Sequence, residues 1–186
     1  MATKDNRFRI IAGHWRGQKL AFPDVDGLRP TPDRVRETLF NWLAPTIDGA
    51  HCLDLFAGSG ALGIEALSRG ASKVTFVENN STAATVIKEN LHQLTQEQTD
   101  VIRRDVIEFL SGPSERYNIV FLDPPYHGNL INKCCYLLEM HSWLHPGAHI
   151  YLETEIGMAL DGLPENWSVL KTKRAGQVSY HLVVKH

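Results

Sequence analysis

Leu53-Asp54-Leu55-Phe56-Ala57-Gly58-Ser59-Gly60-Ala61-Leu62-Gly63 is the stretch that decides the architecture. It starts as an apolar run of strand length, passes through a glycine-rich turn and ends in helix-forming residues. Gly58, Gly60 and Gly63 satisfy G-x-G-x-x-G, in which glycines permit a tight turn and let a ligand approach the backbone. Around it, apolar runs at 51–55, 73–77, 100–103 and 117–122 alternate with helical stretches near 61–69, 80–94, 105–111 and 130–140. That alternation is the signature of βαβ units and a parallel sheet. A further strand is expected from Ala148 to Glu153, after Pro146-Gly147. Ser168–Lys173 and Gln177–Val184 flank Arg174-Ala175-Gly176 and read as a hairpin that closes the sheet with an antiparallel pair. The expected fold is α/β, a seven-stranded mostly parallel sheet with a C-terminal antiparallel hairpin.

Upstream of residue 48 the organisation differs. Phe8–Ala12 and Gln18–Phe22 are β-prone runs around Gly13-His14-Trp15-Arg16-Gly17, which suggests a small hairpin. Thr31-Pro32-Asp33 supplies an N-cap, a first-turn proline and an acid at the positive end of a helix dipole. In the helix that follows, Val35, Leu39, Trp42 and Leu43 form one apolar stripe, with Arg34, Arg36 and Glu37 off it. The arginines are therefore expected to face solvent or ligand. Residues 1–47 are read as a hairpin-and-helix extension for nucleic-acid recognition, and 48–186 as the main domain.

At 186 residues the chain can bury one sizeable core but not two domains and a linker. With 43% hydrophobic and 22% charged residues it has the balance of a soluble globular protein. No run approaches the ~18 apolar residues of a membrane span, and Met1–Arg9 is polar, so a cytoplasmic protein without membrane association is expected. Cys52 falls in a strand, and Cys134 and Cys135 are adjacent in a helix. No disulfide framework or metal spacing emerges. The net charge of −2 runs against phosphate binding, but its distribution does not. Residues 1–47 carry eight Lys/Arg against five Asp/Glu, while 48–186 carry eleven against sixteen. Lys171, Lys173 and Arg174 add a later basic run.

Glu78 follows Gly58 by twenty residues at a strand end, where a carboxylate can accept hydrogen bonds from ribose hydroxyls. This much fits either a dinucleotide or S-adenosylmethionine. The latter has no pyrophosphate to seat at a helix N-terminus but carries sulfonium and ammonium cations that favour a nearby carboxylate such as Asp54. Asp-Leu-Phe-Ala-Gly-Ser-Gly also closely resembles the first motif of Rossmann-like methyltransferases. The resemblance implies Glu78 on the ribose and Asp105 near the adenine amino group. Phe56, Ala57, Gly58, Ser59 and Gly60 of the loop, Asn79, Val106 and Asp123 complete the candidate cofactor contacts.

Asp123-Pro124-Pro125-Tyr126 directly follows the strand Tyr117–Leu122, at the carboxyl end where open α/β sheets bind ligands. The prolines remove backbone donors and restrict the turn, leaving carbonyls as acceptors. An exocyclic amine on a base is a poor nucleophile because its lone pair is delocalised into the ring. Accepting its two N–H groups with the Asp123 carboxylate and the Pro124 carbonyl would turn that lone pair toward a methyl donor. Tyr126 would stack on the base for ~1 to 3 kcal/mol. Such chemistry needs neither metal nor covalent enzyme intermediate; positioning and electrostatics carry the rate. The tetrapeptide resembles that of amino-group methyltransferases acting on adenine, guanine or glutamine amide.

Arg9–Leu20 and Gly27–Leu43 resemble the opening of the RsmD family, bacterial methyltransferases of the guanine N2 amino group in small-subunit (16S) ribosomal RNA. This opening is more specific than the glycine loop, because the general methyltransferase fold does not require it. The resemblance implies a monomer acting on ribosomal RNA in a partly assembled subunit, with the base unstacked to reach Tyr126. Arg7, Arg9, Arg16, Lys19, Arg29, Arg34 and Arg36 are the candidate RNA-binding residues. Adenine-N6 methylation of DNA or RNA suits Asp-Pro-Pro-Tyr equally well, though the short chain has no obvious separate target-recognition domain, which disfavours a sequence-specific DNA enzyme. A nicotinamide-dependent dehydrogenase and a non-catalytic RNA-binding assembly module are the readings from other classes. Intact Asp123 and Tyr126 argue against the last.

Overall fold

The computed structural model describes residues 6–94, 99–125 and 130–186. The chain runs β1 (Arg7–Arg9), β2 (Lys19–Ala21), α1 (Asp33–Leu43), β3 (His51–Leu55), α2 (Ala61–Ser68), β4 (Lys73–Glu78), α3 (Ser81–Leu94), β5 (Asp100–Arg103), α4 (Val106–Leu110), β6 (Tyr117–Leu122), α5 (Leu130–Met140), β7 (Leu144–Glu155), β8 (Trp167–Ala175) and β9 (Val178–Lys185). Seven strands form one sheet in the order β5-β4-β3-β6-β7-β9-β8. The first five are parallel, while β9 lies antiparallel to both β7 and β8.

Parallel strands with helices on both sides are buried on both faces, which is why the central ones read as near-continuous apolar runs. Alternate residues serve the two faces. Cys52, Phe76, Ile119 and Phe121 join a core with residues of α1, α2 and α3. Leu53, Leu55, Val120 and Leu122 join the opposite core with α4 and α5. Trp143 and Trp167 are buried in that second core. The three cysteines are free and buried. Among the described residues, no helix is long and apolar enough to cross a membrane.

The N-terminal residues share the first core through Phe8, Ile10, Leu20, Val35 and Leu39. Their backbone is tied to α2. Glu65 accepts the N–H groups of Ile11 at 2.9 Å and Ala12 at 3.0 Å, and Trp15 N–H donates to the Ser68 hydroxyl at 3.0 Å.

Several expectations require correction. Arg36, expected to face solvent or RNA, is fully buried. Its guanidinium donates to the carbonyls of Thr31 and Arg9, both at 2.9 Å, to Asp33 at 2.6 Å, and to the buried Glu65 at 3.4 Å. A cation so enclosed is a structural tie and cannot meet a phosphate. The start of α1 also differs, because Pro32 rather than Thr31 is the N-cap and no side chain caps the helix. The Pro32 carbonyl instead accepts from the Val35 and Arg36 N–H groups, both at 3.0 Å.

Pro146-Gly147 lies inside β7 instead of preceding it. Register passes from Tyr117–Leu144 to Ile119–His149, so the segment bulges where proline has no ladder donor and Gly147 has a φ of 77°. In the C-terminal hairpin, Arg174 and Ala175 belong to β8 and the turn is Gly176-Gln177, with Gly176 at a φ of 59°. Two-residue hairpin turns need such a left-handed residue, and glycine adopts it without strain.

Candidate active site

Parallel strands bring their carboxyl ends to one edge of the sheet, and where β3 sends connections to both sides a crevice opens. A cavity of about 1040 Å³ occupies it. Its walls are Asp54 of β3 and Phe56–Ser59 after it, Glu78 of β4 and Asn79 after it, Asp105 and Val106 after β5, Asp123–Pro125 after β6, and Glu153 of β7. A further wall is the segment Val25–Pro32 before α1, with Ala175 and Val178 of the hairpin at the side. Most of the cofactor-site candidates therefore meet at one place. Gly60 does not line the cavity; it is a buried residue at the left-handed N-cap of α2, with a φ of 75°, and shapes the loop from behind. Tyr126, along with His127, lies outside the described residues.

Asp54 is 2% exposed, and its Oδ2 accepts the Gly63 N–H at 2.9 Å. Gly63 is obligatory there, because a Cβ would collide with the Phe76 ring and close on Asp54 Oδ2. Burial pushes the Asp54 carboxyl well above the usual carboxylate range; the Gly63 N–H pulls it down, and the charges of Asp123 and Glu78 push it further up. Burial, then the neighbouring Glu153 charge, likewise raises Asp123 to about 8. Glu78 takes the Gly58 and Asn80 N–H groups, both at 2.7 Å, and so clamps the glycine loop to the end of β4. Asp105 caps α4, its Oδ1 accepting from Ile107 at 2.8 Å and Glu108 at 3.2 Å.

Carboxyl groups crowded into a desolvated cavity are completed by a cation. S-adenosylmethionine fits that demand: its sulfonium and ammonium charges suit Asp54 and Asp123. Its ribose suits Glu78, since a carboxylate offers about four acceptor sites and two are used. Its adenine amino group suits Asp105. Replacing Glu78 by alanine is expected to weaken this cofactor ~10- to 150-fold in calorimetric titration, the equivalent of a charge-assisted hydrogen bond of ~1.5 to 3 kcal/mol. An unchanged dissociation constant would reduce Glu78 to a loop clamp.

Of the candidate RNA-binding residues, Arg7, Arg9, Arg16, Lys19, Arg29 and Arg34 are exposed. Arg29 lines the cavity, and Arg9 approaches Asp33 at 3.7 Å. Sequence reading missed three parts: the cavity wall formed by Val25–Pro32, the Glu65 hub, and Glu153. Glu153 shows in the sequence only as an acid after an apolar run; its place beside Asp123 comes from the pairing of β6 with β7.

A parallel sheet that reverses order at β3, a glycine loop entering α2 and an acid-Pro-Pro turn at the end of β6 together define a Rossmann-like methyltransferase. Residues 8–184 match the model of the family described as conserved hypothetical protein 95. The chain belongs to this family, the RsmD family that its opening resembles. It is 53% identical to ribosomal RNA small subunit methyltransferase D of Haemophilus influenzae, over 94% of this chain and 92% of that protein. The protein of the same name from Escherichia coli K12 is 49% identical over 95% and 89%. The solved structure of the candidate methyltransferase YhhF from Escherichia coli superposes with a TM-score of 0.91, at 48% identity, covering 97% of this chain and 98% of that one.

Proposed function

We propose that this chain transfers a methyl group from S-adenosylmethionine to the exocyclic N2 amino group of a guanine in small-subunit ribosomal RNA, releasing S-adenosylhomocysteine and using no metal. The observation that carries the reading is the Asp123-Pro124 turn opening into the same cavity as Asp54, Glu78 and Asp105, in a chain matched nearly end to end by small-subunit RNA methyltransferases. When bound, the cofactor supplies an electrophilic methyl carbon. Asp123 and the Pro124 carbonyl accept the two N–H groups of the amine and turn its lone pair toward that carbon. With the bound sulfonium favouring its ionised form, the Asp123 carboxylate can take the proton that the amine sheds. Tyr126 stacks on the unstacked base. The protein works in the cytoplasm as a monomer, on RNA within a partly assembled subunit. The test is radiolabelled methyl transfer to small-subunit RNA and particles, with the modified nucleotide mapped; transfer to no guanine would sink the assignment.

Residues 1–47 bind the RNA in this reading, and 48–186 form the catalytic domain. The exposed cations are Arg7, Arg9, Arg16, Lys19, Arg29 and Arg34; Arg36 is withdrawn because it is buried. The acidic remainder of the chain would repel phosphates unless this arm brought them in. Each phosphate neutralised contributes roughly 0.7 to 0.9 to the slope of log affinity against log salt. The triple replacement Arg7→Ala/Arg9→Ala/Arg16→Ala is therefore expected to flatten the slope by about that amount for every phosphate left without its arginine, with cofactor affinity intact. Retention of both RNA affinity and slope would move recognition elsewhere, with the exposed Lys171, Lys173 and Arg174 of β8 the next place to test.

A further inference from the structure

Glu153 has so far entered only as a charge that raises Asp123, yet it lines the cavity beside it. Strands β6 and β7 pair in parallel, with Phe121 opposite Tyr151 and Leu122 opposite Leu152. One step further along the same register, Asp123 and Glu153 are neighbours across strands spaced ~4.8 Å apart. Phe121 and Tyr151 belong to one core, and Leu122 and Leu152 to the other. Strand alternation therefore sends Asp123 and Glu153 to the same side, and both line the cavity. Glu153 is 7% exposed and accepts the Tyr151 hydroxyl at 2.8 Å. Tyr151 is itself fully buried, which restricts how far the carboxylate can turn. Behind it, Tyr180 pairs with Glu153 across β7 and β9, and the Tyr180 ring stacks on Trp42 at 5.5 Å.

A carboxylate only accepts hydrogen bonds, so a buried one in a substrate cavity is a filter for donors. The edge of guanine that carries the N2 amine also carries N1–H, two donors side by side. Adenine puts its N6 amine beside a bare N1, a lone pair that would face the carboxylate with no proton between them. Asp123 and Pro124 recognise an amine of either base equally well; a second acceptor next to Asp123 distinguishes them.

Resting on the guanine-N2 reading above, we infer that Glu153 is the residue that selects guanine, its carboxylate accepting the ring N1–H while Asp123 holds the adjoining amine. Tyr151 is then a positioning residue that fixes the orientation of Glu153. Adenine is disfavoured because its N1 lone pair would face the Glu153 carboxylate with no proton between them, a kind of rejection stronger than poor fit.

The probe is RNA in which the mapped guanine is replaced by 2-aminopurine, which keeps the 2-amino group but has a bare N1. The measurement is kcat/KM for each base, on the free RNA or the assembled particle, whichever accepts methyl. The unaltered protein is expected to prefer guanine by ~10- to 100-fold. In Glu153→Gln, whose amide can donate as well as accept, the preference should fall to within a few-fold. The missing O6 of 2-aminopurine affects both proteins alike and cancels in that comparison. Tyr151→Phe should lower the preference in the same direction by a smaller factor, and it decides the matter if Glu153→Gln no longer binds S-adenosylhomocysteine. A merely structural Glu153 would slow both bases equally, and an unchanged preference in the variants overturns the inference. No transfer to guanine by the unaltered protein is a separate result, which removes the guanine-N2 reading and this selection with it.

Discussion

Asp123→Ala is expected to slow methyl transfer by ~10²- to 10³-fold, the usual loss when a positioned polar group at the reacting atoms is removed. Cofactor affinity should fall much less, because Glu78, Asp105 and the glycine loop remain in the cavity wall. The retained affinity separates a chemical role from collapse of the site and can be read by calorimetry. A pH series adds an independent signature. Asp123 is raised to about 8 in the free protein, so near neutrality it largely carries a proton, and burial moves Asp54 in the same direction. A bound sulfonium cation favours their ionised forms, so binding expels protons and tightens as pH rises, until Asp123 is ionised beyond about 8. S-adenosylhomocysteine, with a neutral sulfur, should show a flatter dependence. Near-normal turnover of the alanine variant, or equal pH slopes for the two ligands, would remove Asp123 from the mechanism.

The same physics that hides Asp54 in the sheet and sets Asp123 at its edge made them readable. Fully buried parallel strands have to be apolar on both faces, so an acid at position 54 or just after Leu122 stands out against its neighbours. Glycine spacing likewise reports a backbone demand, as the Phe76 ring under Gly63 makes concrete. Local patterns failed where the deciding partner is remote. Arg36 lies off the apolar stripe of α1 and resembles a solvated cation paired with Asp33, because its buried partner Glu65 is 29 residues away on another helix. Pro146-Gly147 resembles a strand boundary, but β6 pairs with β7 on both sides of it and turns it into a bulge, while β9 pairs from His149 onward. Glu153 has meaning only once β7 is known to lie against β6. The wall formed by Val25–Pro32 belongs to the cavity because the preceding hairpin is tied to α2, a long-range arrangement with no local pattern.

That tie underlies the second large effect. Glu65 is fully buried and receives Ile11 N–H, Ala12 N–H, the Arg36 guanidinium and Arg69 Nε, the last at 2.7 Å. Arg36 also lies over the Phe8 ring, 5.6 Å from its centre, so one carboxylate holds the arm, α1 and α2 together. Glu65→Ala would take one of its two carboxylate partners from the buried Arg36, leaving Asp33, and would strip Arg69 Nε and two backbone N–H groups of their acceptor. Breaking a buried pair costs ~3 to 5 kcal/mol, a large share of the ~5 to 15 kcal/mol by which a domain is stable. The midpoint of urea unfolding should fall accordingly. Amide exchange should quicken first at Ile11 and Ala12, whose acceptor is removed directly. Replacing both charges in Arg36→Met/Glu65→Met removes the fully buried pair together and leaves only the more exposed Arg69 and Asp33 to lose a partner, so its cost should be below the sum of the two single changes. Because the Val25–Pro32 wall lies between the arm and α1, cofactor affinity should decline in Glu65→Ala even though Glu65 does not line the cavity. A destabilisation under ~1 kcal/mol, within the range of an exposed ion pair, would mean that the arm is held by its apolar packing alone.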